Sequence, residues 1–469
     1  MAADLATLVI WSALTAAPPL TPCVLTSPGL PATRARCGAV EVPKDRAAPG
    51  VGRLSIGYAV LEATGDRTAP DPIVVLPGGP GQAGTEVAAI VEAALDRARK
   101  DRDVVLFDPR GTGRSGKLSC SDGADIATRL ARTLEEERAR LARCAGALPL
   151  DPRLITTEAI ARDLEDLRIA LGAERLNLVG ISYGTRLALT YDRLFPGRAR
   201  ALVLDGVVPA SMVIGEHAAK DAEAALALLD ARCAKTPGCP RREPLPDLLR
   251  TLLQRAPRAG PVALVHPTTG KRLNASLDRR TLIAVVRLML YAEESAALLP
   301  TLLAQADAGD VAPLLAQALL AERLEAGVAD GMQLAVLCAE DQPFLGAGDA
   351  EALFAGFEAE LQSACSVFPH AAVPPTFHDD VPSPTPALLL SGEADPVTPP
   401  AWGDAAARAL PRSVHVKASG VAHNVVVRGC APELVARFLA RPDPAALDVS
   451  CAARIGPLPL FIDALGPAP

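Results

Sequence analysis

Three residues of this 469-residue chain have the types, and follow in the order, that acyl transfer through a covalent intermediate requires. Ser182 lies in Gly180-Ile181-Ser182-Tyr183-Gly184, Asp395 in GEADPVTP and His423 in KASGVAHNV. A serine hydroxyl is a weak nucleophile until an imidazole removes its proton, and the imidazole needs a carboxylate to set its tautomer and balance its charge. Glycines two before and two after Ser182 remove side chains where a strand and a helix must pass close together, as a sharp hydroxyl-presenting turn demands. The developing oxyanion calls for backbone N–H groups. One is that of Tyr183 at the helix start; the other comes from LPGGPGQAG (76–84), where Gly79 is the expected donor and Pro80 stiffens the loop without a competing N–H.

Of six histidines, His217, His266, His370 and His378 fall in the middle of the chain or its joint and His415 lies within the strand-like SVHVK, which leaves His423 as the base. Asp205, in VLDGVV at the end of the preceding strand, is the rival acid. Asp395 is preferred because it sits in an exposed Asp-Pro loop, whereas Asp205 can simply order its own turn.

For these side chains to meet, the elements carrying them must share one edge of a sheet. GAVEVP (38–43), RLSIGYAVLEA (53–63), PIVVLPGG (72–79) and DVVLFDPRG (103–111) read as strands. TTEAIARDLEDLRIALGA (156–173) repeats Ile160, Leu164, Leu167 and Leu171 at helical spacing between a threonine cap and Gly172. RLNLVGIS (175–182) is then a buried strand, 182–195 a helix stopped by Pro196-Gly197, and ARALVLDGVVP (199–209) a further strand. Such alternation predicts an α/β fold: a mostly parallel sheet with crossover helices on both faces, its ligands gathered at strand C-termini. From about 211 to 375 Ala/Leu-rich helices take over, broken by the hairpin-like PVALVHPTTGKRLNASL (261–277), and alternation resumes after DDVPSPTP (379–386). The domain reading is a leader over 1–22, a first core part over 35–210, an inserted, mainly helical cap over 211–375 and a second core part over 376–469.

Composition excludes more than it identifies. With 49% apolar and 22% charged residues the chain is globular. A formal net charge of −7 and no Lys/Arg run argue against a nucleic-acid partner. No apolar run reaches the ~18 residues of a membrane span. LATLVIWSALTAAPP (5–19) has the length and apolarity of a signal-peptide core, although MAAD ahead of it lacks a basic residue, and LTPC (20–23) matches a lipoprotein cleavage box apart from Pro22. The ten cysteines, at 23, 37, 120, 144, 233, 239, 338, 365, 430 and 451, fall into five sequence-neighbour pairs, which points to disulfides and a secreted or periplasmic location. No C-x-x-C or Cys/His cluster suggests zinc, and neither metal nor cofactor is expected. G-x-G-x-x-G occurs at 79–84 and again at 111–116, but both cannot be the first turn of one dinucleotide-binding unit.

Taken together, PGGPG (77–81), DPRGTGRSG (108–116), ARDLEDLRIALG, GISYGT (180–185), VLDGV (203–207), GEADPVTP (392–399) and the late histidine resemble the proline-iminopeptidase and tripeptidyl-aminopeptidase branch of α/β-hydrolases. The resemblance runs from about 37 to 451, tight in the motifs and loose in the cap; the iminopeptidases carry His before the glycines where this chain has Pro77. It implies an α/β-hydrolase fold and a secreted or periplasmic serine exopeptidase that removes aminoacyl, prolyl or tripeptidyl units from peptide N-termini. A free α-ammonium group would then need a carboxylate near the serine. CAEDQPF (338–344) resembles a family element and offers Glu340 and Asp341 for that role, against the alternative of a solvated or arginine-paired acidic pair. The same Ser-His-Asp set also serves a carboxylesterase or lactone hydrolase, since ester and amide pass through the same acyl-enzyme.

Overall fold

The computed structural model describes residues 19–467 apart from 28, 67, 125–127, 130, 131, 257–259, 276 and 464, with backbone alone over 321–326. Most of the leader expected over 1–22 therefore lies outside the described residues. Eleven strands concern the argument: β1 (Thr21–Leu25), β2 (Thr33–Pro43), β3 (Arg53–Leu61), β4 (Ile73–Leu76), β5 (Val104–Phe107), β6 (Leu176–Ile181), β7 (Ala199–Asp205), β8 (Val262–Val265), β9 (Arg272–Ala275), β10 (Ala387–Gly392) and β11 (Ser413–Ala418). All but the β8–β9 hairpin join one nine-stranded sheet in the order β1-β2-β3-β5-β4-β6-β7-β10-β11. β1, β2, β3 and β5 pair antiparallel in turn, and every pairing from β5 through β11 is parallel.

The helices in chain order are α1 (Ala88–Leu95), α2 (Leu134–Ala145), α3 (Thr157–Ala170), α4 (Tyr183–Leu194), α5 (Ala218–Lys235), α6 (Leu245–Arg255), α7 (Arg279–Leu290), α8 (Glu293–Ala296), α9 (Leu299–Asp307), α10 (Ala312–Ala326), α11 (Asp330–Glu340), α12 (Phe357–Cys365), α13 (Pro400–Ala409) and α14 (Ala431–Ala440). Side chains alternate along the central strands, so each strand feeds two cores. Val74, Leu76, Leu178, Leu202 and Leu204 pack with α3 and α4. Ile73, Val75, Val179, Ala201 and Val203 pack with α1 and α14 on the other face. β4 and β5 are buried at every position, as strands covered on both faces must be.

Between β7 and β10 the chain forms α5 to α12 and the hairpin. Much of this helical segment packs around its own core, which includes Leu226, Leu249, Val286, Leu303 and Leu314 and takes in Leu460 from the C-terminal tail. The sheet starts earlier than residue 35. β1 pairs with β2 from Thr21↔Cys37, and Cys23 is disulfide-bonded to Cys37. All ten cysteines are paired with their sequence neighbours: 23–37, 120–144, 233–239, 338–365 and 430–451. Among the described residues no helix is long and apolar enough to cross a membrane.

Candidate active site

Ser182 occupies the turn between β6 and α4 with φ 56° and ψ −124°, a left-handed conformation that a non-glycine residue holds only when its surroundings impose it. The constraint is visible on both sides. The Ser182 N–H donates to Asp205 O at 2.8 Å, and its carbonyl accepts from the Thr185 N–H at 2.8 Å and the Thr185 hydroxyl at 2.6 Å. The flanking glycines answer a steric need: a Cβ at Gly180 would stand 2.5 Å from Gly184 O, and one at Gly184 would fall on the Leu76 carbonyl oxygen. The turn aims the N-terminus of α4 at the serine, and Tyr183, its first residue, has no intrahelical acceptor for its N–H. The glycine-rich loop after β4 packs directly on the turn, since a Cβ at Gly78 would lie 3.1 Å from Ser182 Cβ. Gly79 follows with φ 108°, which a side chain would disfavour, and the Gly79–Pro80 peptide is cis. Tyr183 and Gly79 thus both belong to segments that border Ser182. The G-x-G-x-x-G run at 79–84 is part of this same loop.

Asp395 and His423 meet. The imidazole Nδ1 donates to Asp395 Oδ2 at 2.7 Å, which leaves Nε2 as the nitrogen without its proton. Both groups are buried, 1% and 7% exposed. Asp395 is further held by the N–H groups of Val397 and Thr398 on Oδ1, both at 2.9 Å, and by the Thr398 hydroxyl on Oδ2 at 2.7 Å. Burial alone would raise the Asp395 pKa, but the charge and hydrogen bond of His423 together with the Thr398 donors outweigh it and hold the carboxyl below its ordinary value. For His423 burial pulls downward, and the Asp395 carboxylate outweighs it, leaving the imidazole above its ordinary value.

Asp205, the rival acid, does something else. Its two carboxylate oxygens accept the N–H groups of Val425 and Val426, each at 2.9 Å, and so anchor the loop that carries His423. Burial pushes its pKa up to about 6 against those two amides. The next residue, Gly206, lies against the imidazole, where a Cβ would stand 2.7 Å from Cε1. The Asp205–Gly206 segment therefore touches both the serine turn and the histidine.

Glu340 and Asp341 depart from the amine-binding expectation. Each is 0% exposed. Asp341 accepts from Arg186 Nη1 at 3.0 Å and from the Ile214 N–H at 2.7 Å. Glu340 accepts the Thr157 N–H at 2.5 Å and the Thr157 hydroxyl at 2.6 Å, and that hydroxyl in turn accepts from the Tyr183 phenol at 2.7 Å. Burial raises both carboxyls, Glu340 to about 7. They tie α11 to the starts of α3 and α4 from the inside, the arginine-paired arrangement.

Three groups that sequence reasoning passed over stand where loops leave the same sheet edge. Asp221, in the first turn of α5 beyond β7, accepts from Trp402 Nε1 at 3.3 Å, and Trp402 lies in the first turn of α13 beyond β10. The His217 ring is 5.4 Å from that of Trp402. Burial raises the Asp221 pKa against the Trp402 hydrogen bond and the charges of His217 and Lys220. No pattern marked these residues, because a lone carboxylate on an Ala-rich helix reads as a solvated face. A cavity of about 510 Å³ also runs beside α4, lined by Arg186, Arg193, Phe377 and Pro384, but Ser182 and His423 do not line it. Among the described residues no group of three or more His, Cys, Asp or Glu side chains is placed to hold a metal ion.

Comparison with known proteins adds three findings. A family model described as the alpha/beta hydrolase fold matches residues 71–429. The serine protease Hip1 of Mycobacterium tuberculosis is 33% identical over 239 residues, covering 47% of this chain and 46% of that protein, and the tripeptidyl aminopeptidase of Streptomyces lividans is 36% identical over 193 residues, covering 37% and 35%. The matched stretches thus span less than half the length of these curated relatives. Among solved structures, the proline iminopeptidase of Mycobacterium smegmatis covers 87% of this chain and 100% of its own at 17% identity, with a TM-score of 0.42.

Proposed function

Because this chain belongs to the alpha/beta hydrolase fold family, we propose that it is an exported serine hydrolase of the aminopeptidase kind, releasing short N-terminal units from peptides through an acyl-enzyme. The observation that carries the reading is the buried Asp395–His423 pair on loops beside a serine held in a left-handed turn. In this reading His423 Nε2 takes the Ser182 proton as Oγ attacks the scissile carbonyl, and Asp395 balances the imidazolium that forms. The N–H groups of Tyr183 and Gly79 receive the oxyanion. The imidazolium then returns its proton to the leaving amine, and water, deprotonated by His423, releases the acyl group and restores Ser182.

The helical segment acts as the cap. With Glu340 and Asp341 spent on internal partners, the carboxylate best placed to receive a substrate ammonium is Asp221, half-buried and close enough to Asp395 to feel its charge, with Trp402 and His217 as its wall. The names of the relatives Hip1 and tripeptidyl aminopeptidase support the peptidase assignment. Five disulfides support an oxidising compartment, secreted or periplasmic.

A fluorophosphonate probe should label the protein and fail on Ser182→Ala. A panel of chromogenic aminoacyl, dipeptidyl and tripeptidyl amides, free and N-acetylated, beside acetyl and butyryl esters then decides the class. Preference for free N-termini supports the aminopeptidase; turnover of esters alone favours the carboxylesterase or lactone hydrolase, which the same three residues would serve.

A further inference from the structure

The helical segment reaches the loop that bears His423 through the short link between α7 and α8. The His423 N–H donates to the Tyr291 carbonyl at 3.2 Å, and the Tyr291 ring meets the imidazole edge-to-face, with centroids 5.4 Å apart and planes at 72°. A few residues further along each of these two segments a second contact follows. Arg428, in the same loop as His423, donates from Nη1 to Glu294 Oε1 at 2.7 Å and from Nη2 to Glu294 Oε2 at 3.0 Å, with its Nε 3.3 Å from Glu293 Oε1. Glu293 is 5% exposed, and its other oxygen accepts the Leu458 N–H at 3.2 Å. The C-terminal tail is fastened to the helical segment at that residue and just beyond: Arg232 Nη2 donates to Leu458 O at 2.6 Å, the Phe461 N–H to Ala297 O at 3.0 Å, and the Thr301 hydroxyl to Phe461 O at 2.9 Å.

The histidine loop is thus gripped from two sides. The sheet holds it through Asp205 on Val425 and Val426 and through Asp395 on the ring. The helical segment holds the backbone of residue 423 itself, the imidazole through the Tyr291 ring, and Arg428 beyond. An imidazole hydrogen-bonded at Nδ1 can still pivot about that bond, and its Nε2 moves with every shift of the residue's backbone; Asp395 alone does not remove these freedoms. A ring packed against the imidazole and an acceptor on the N–H of residue 423 do remove them.

We propose that Tyr291 is a positioning residue for His423, and that the Arg428 contact with Glu293 and Glu294 is the clasp that keeps Tyr291 seated. The base is then aimed only while the helical segment is docked on the sheet, so this segment supports catalysis as well as covering the substrate. The inference rests on the serine-hydrolase reading above.

The test measures the second-order rate of fluorophosphonate labelling at Ser182, which depends on the base and needs no knowledge of the natural substrate. If the wild-type protein does not label, the serine-hydrolase reading fails, and with it the premise. With labelling established, Tyr291→Ala should slow it by about 10- to 100-fold, the scale set by small misplacements of reacting groups. Tyr291→Phe, which keeps the ring, should stay within about twofold, and Arg428→Met should slow labelling with far-ultraviolet circular dichroism unchanged. On a turned-over substrate the losses should fall on kcat and leave KM nearly constant. Wild-type labelling rates in both Tyr291→Ala and Arg428→Met would overturn the proposal, as would a Phe variant as slow as the Ala variant. Should Tyr291→Ala fail to fold, Arg428→Met decides alone.

Discussion

Replacing Glu340 by Gln should stabilise the protein at alkaline pH and leave it unchanged in acid. Glu340 is fully buried, and burial raises its carboxyl to about 7, above the ordinary 4.5, against the opposing pull of Arg186 and the Thr157 hydrogen bonds. Below pH 4.5 the group is protonated in both folded and unfolded chains and has no differential effect. Between 4.5 and 7 the unfolded chain releases the proton and the folded chain keeps it, so stability is lost as pH rises through this window. Above 7 both states are ionised and the loss is complete. A displacement of about 2.5 units corresponds to about 3 kcal/mol. Glutamine mimics the neutral acid: its oxygen can accept the Thr157 N–H and its amide can donate to the Thr157 hydroxyl. With an unfolding entropy of ~2.1 cal/mol/K per residue, the chain changes by about 1 kcal/mol per degree, so the variant's Tm should exceed the wild type's by about 3 °C at pH 8 and match it near pH 4. Differential scanning calorimetry from pH 4 to 9 reads this directly. A constant Tm difference across that range, or a variant destabilised at pH 8, would refute the buried-carboxyl account. A large rise in KM for free-amine peptides in the same variant would return Glu340 to substrate binding.

Asp395→Asn should lower kcat by about 10⁴-fold, and because Asp395 is what lifts the His423 pKa, the acid limb of the kcat/KM profile should move to lower pH in whatever activity remains. Asp205→Ala strips the acceptor from two buried N–H groups and should cost about 2–6 kcal/mol in urea unfolding, with Asp205→Asn between it and wild type; wild-type stability in the Ala variant would refute the anchoring role. Gly184→Ala drives a methyl group onto the Leu76 carbonyl and should cost about 3 kcal/mol or more, whereas Gly146→Ala, with φ −70° and its nearest neighbour at 3.7 Å, should stay within about 0.5 kcal/mol.

What the sequence disclosed about this site follows a physical division. Ser182, Asp395 and His423 stood out because acyl transfer restricts both their types and their order, and because Ser182 and Asp395 each follow an apolar run that reads as a covered strand, β6 and β10. β4 and β6 are buried almost throughout, and periodicity alone finds such strands. The choice between Asp395 and Asp205 was narrower, since both end strands at the same sheet edge; which carboxylate faces the ring and which faces the loop's amides depends on where residues 423–426 turn, and Asn424 turns them with φ 74°. Glu340 and Asp341 were misplaced for a related reason. A carboxylate pair in an apolar stretch announces that something must neutralise it, and the candidates are a ligand or a cation from elsewhere in the chain. The cation here is Arg186, 155 residues from its Asp341 partner and 2% exposed, on a helix otherwise rich in apolar residues. That arginine was itself a signal, because a guanidinium inside the LALTY helix must find buried acceptors. Asp221 carries the opposite mark: it is half-buried, accepts one hydrogen bond from Trp402, and has no arginine locked onto it as Asp341 has. Glu340 and Asp341 are closed off by α4 and fully partnered, whereas Asp221 is only half-buried, and this difference in closure, which no local pattern encodes, is why the proposed function assigns the substrate ammonium to Asp221 instead of the acidic pair.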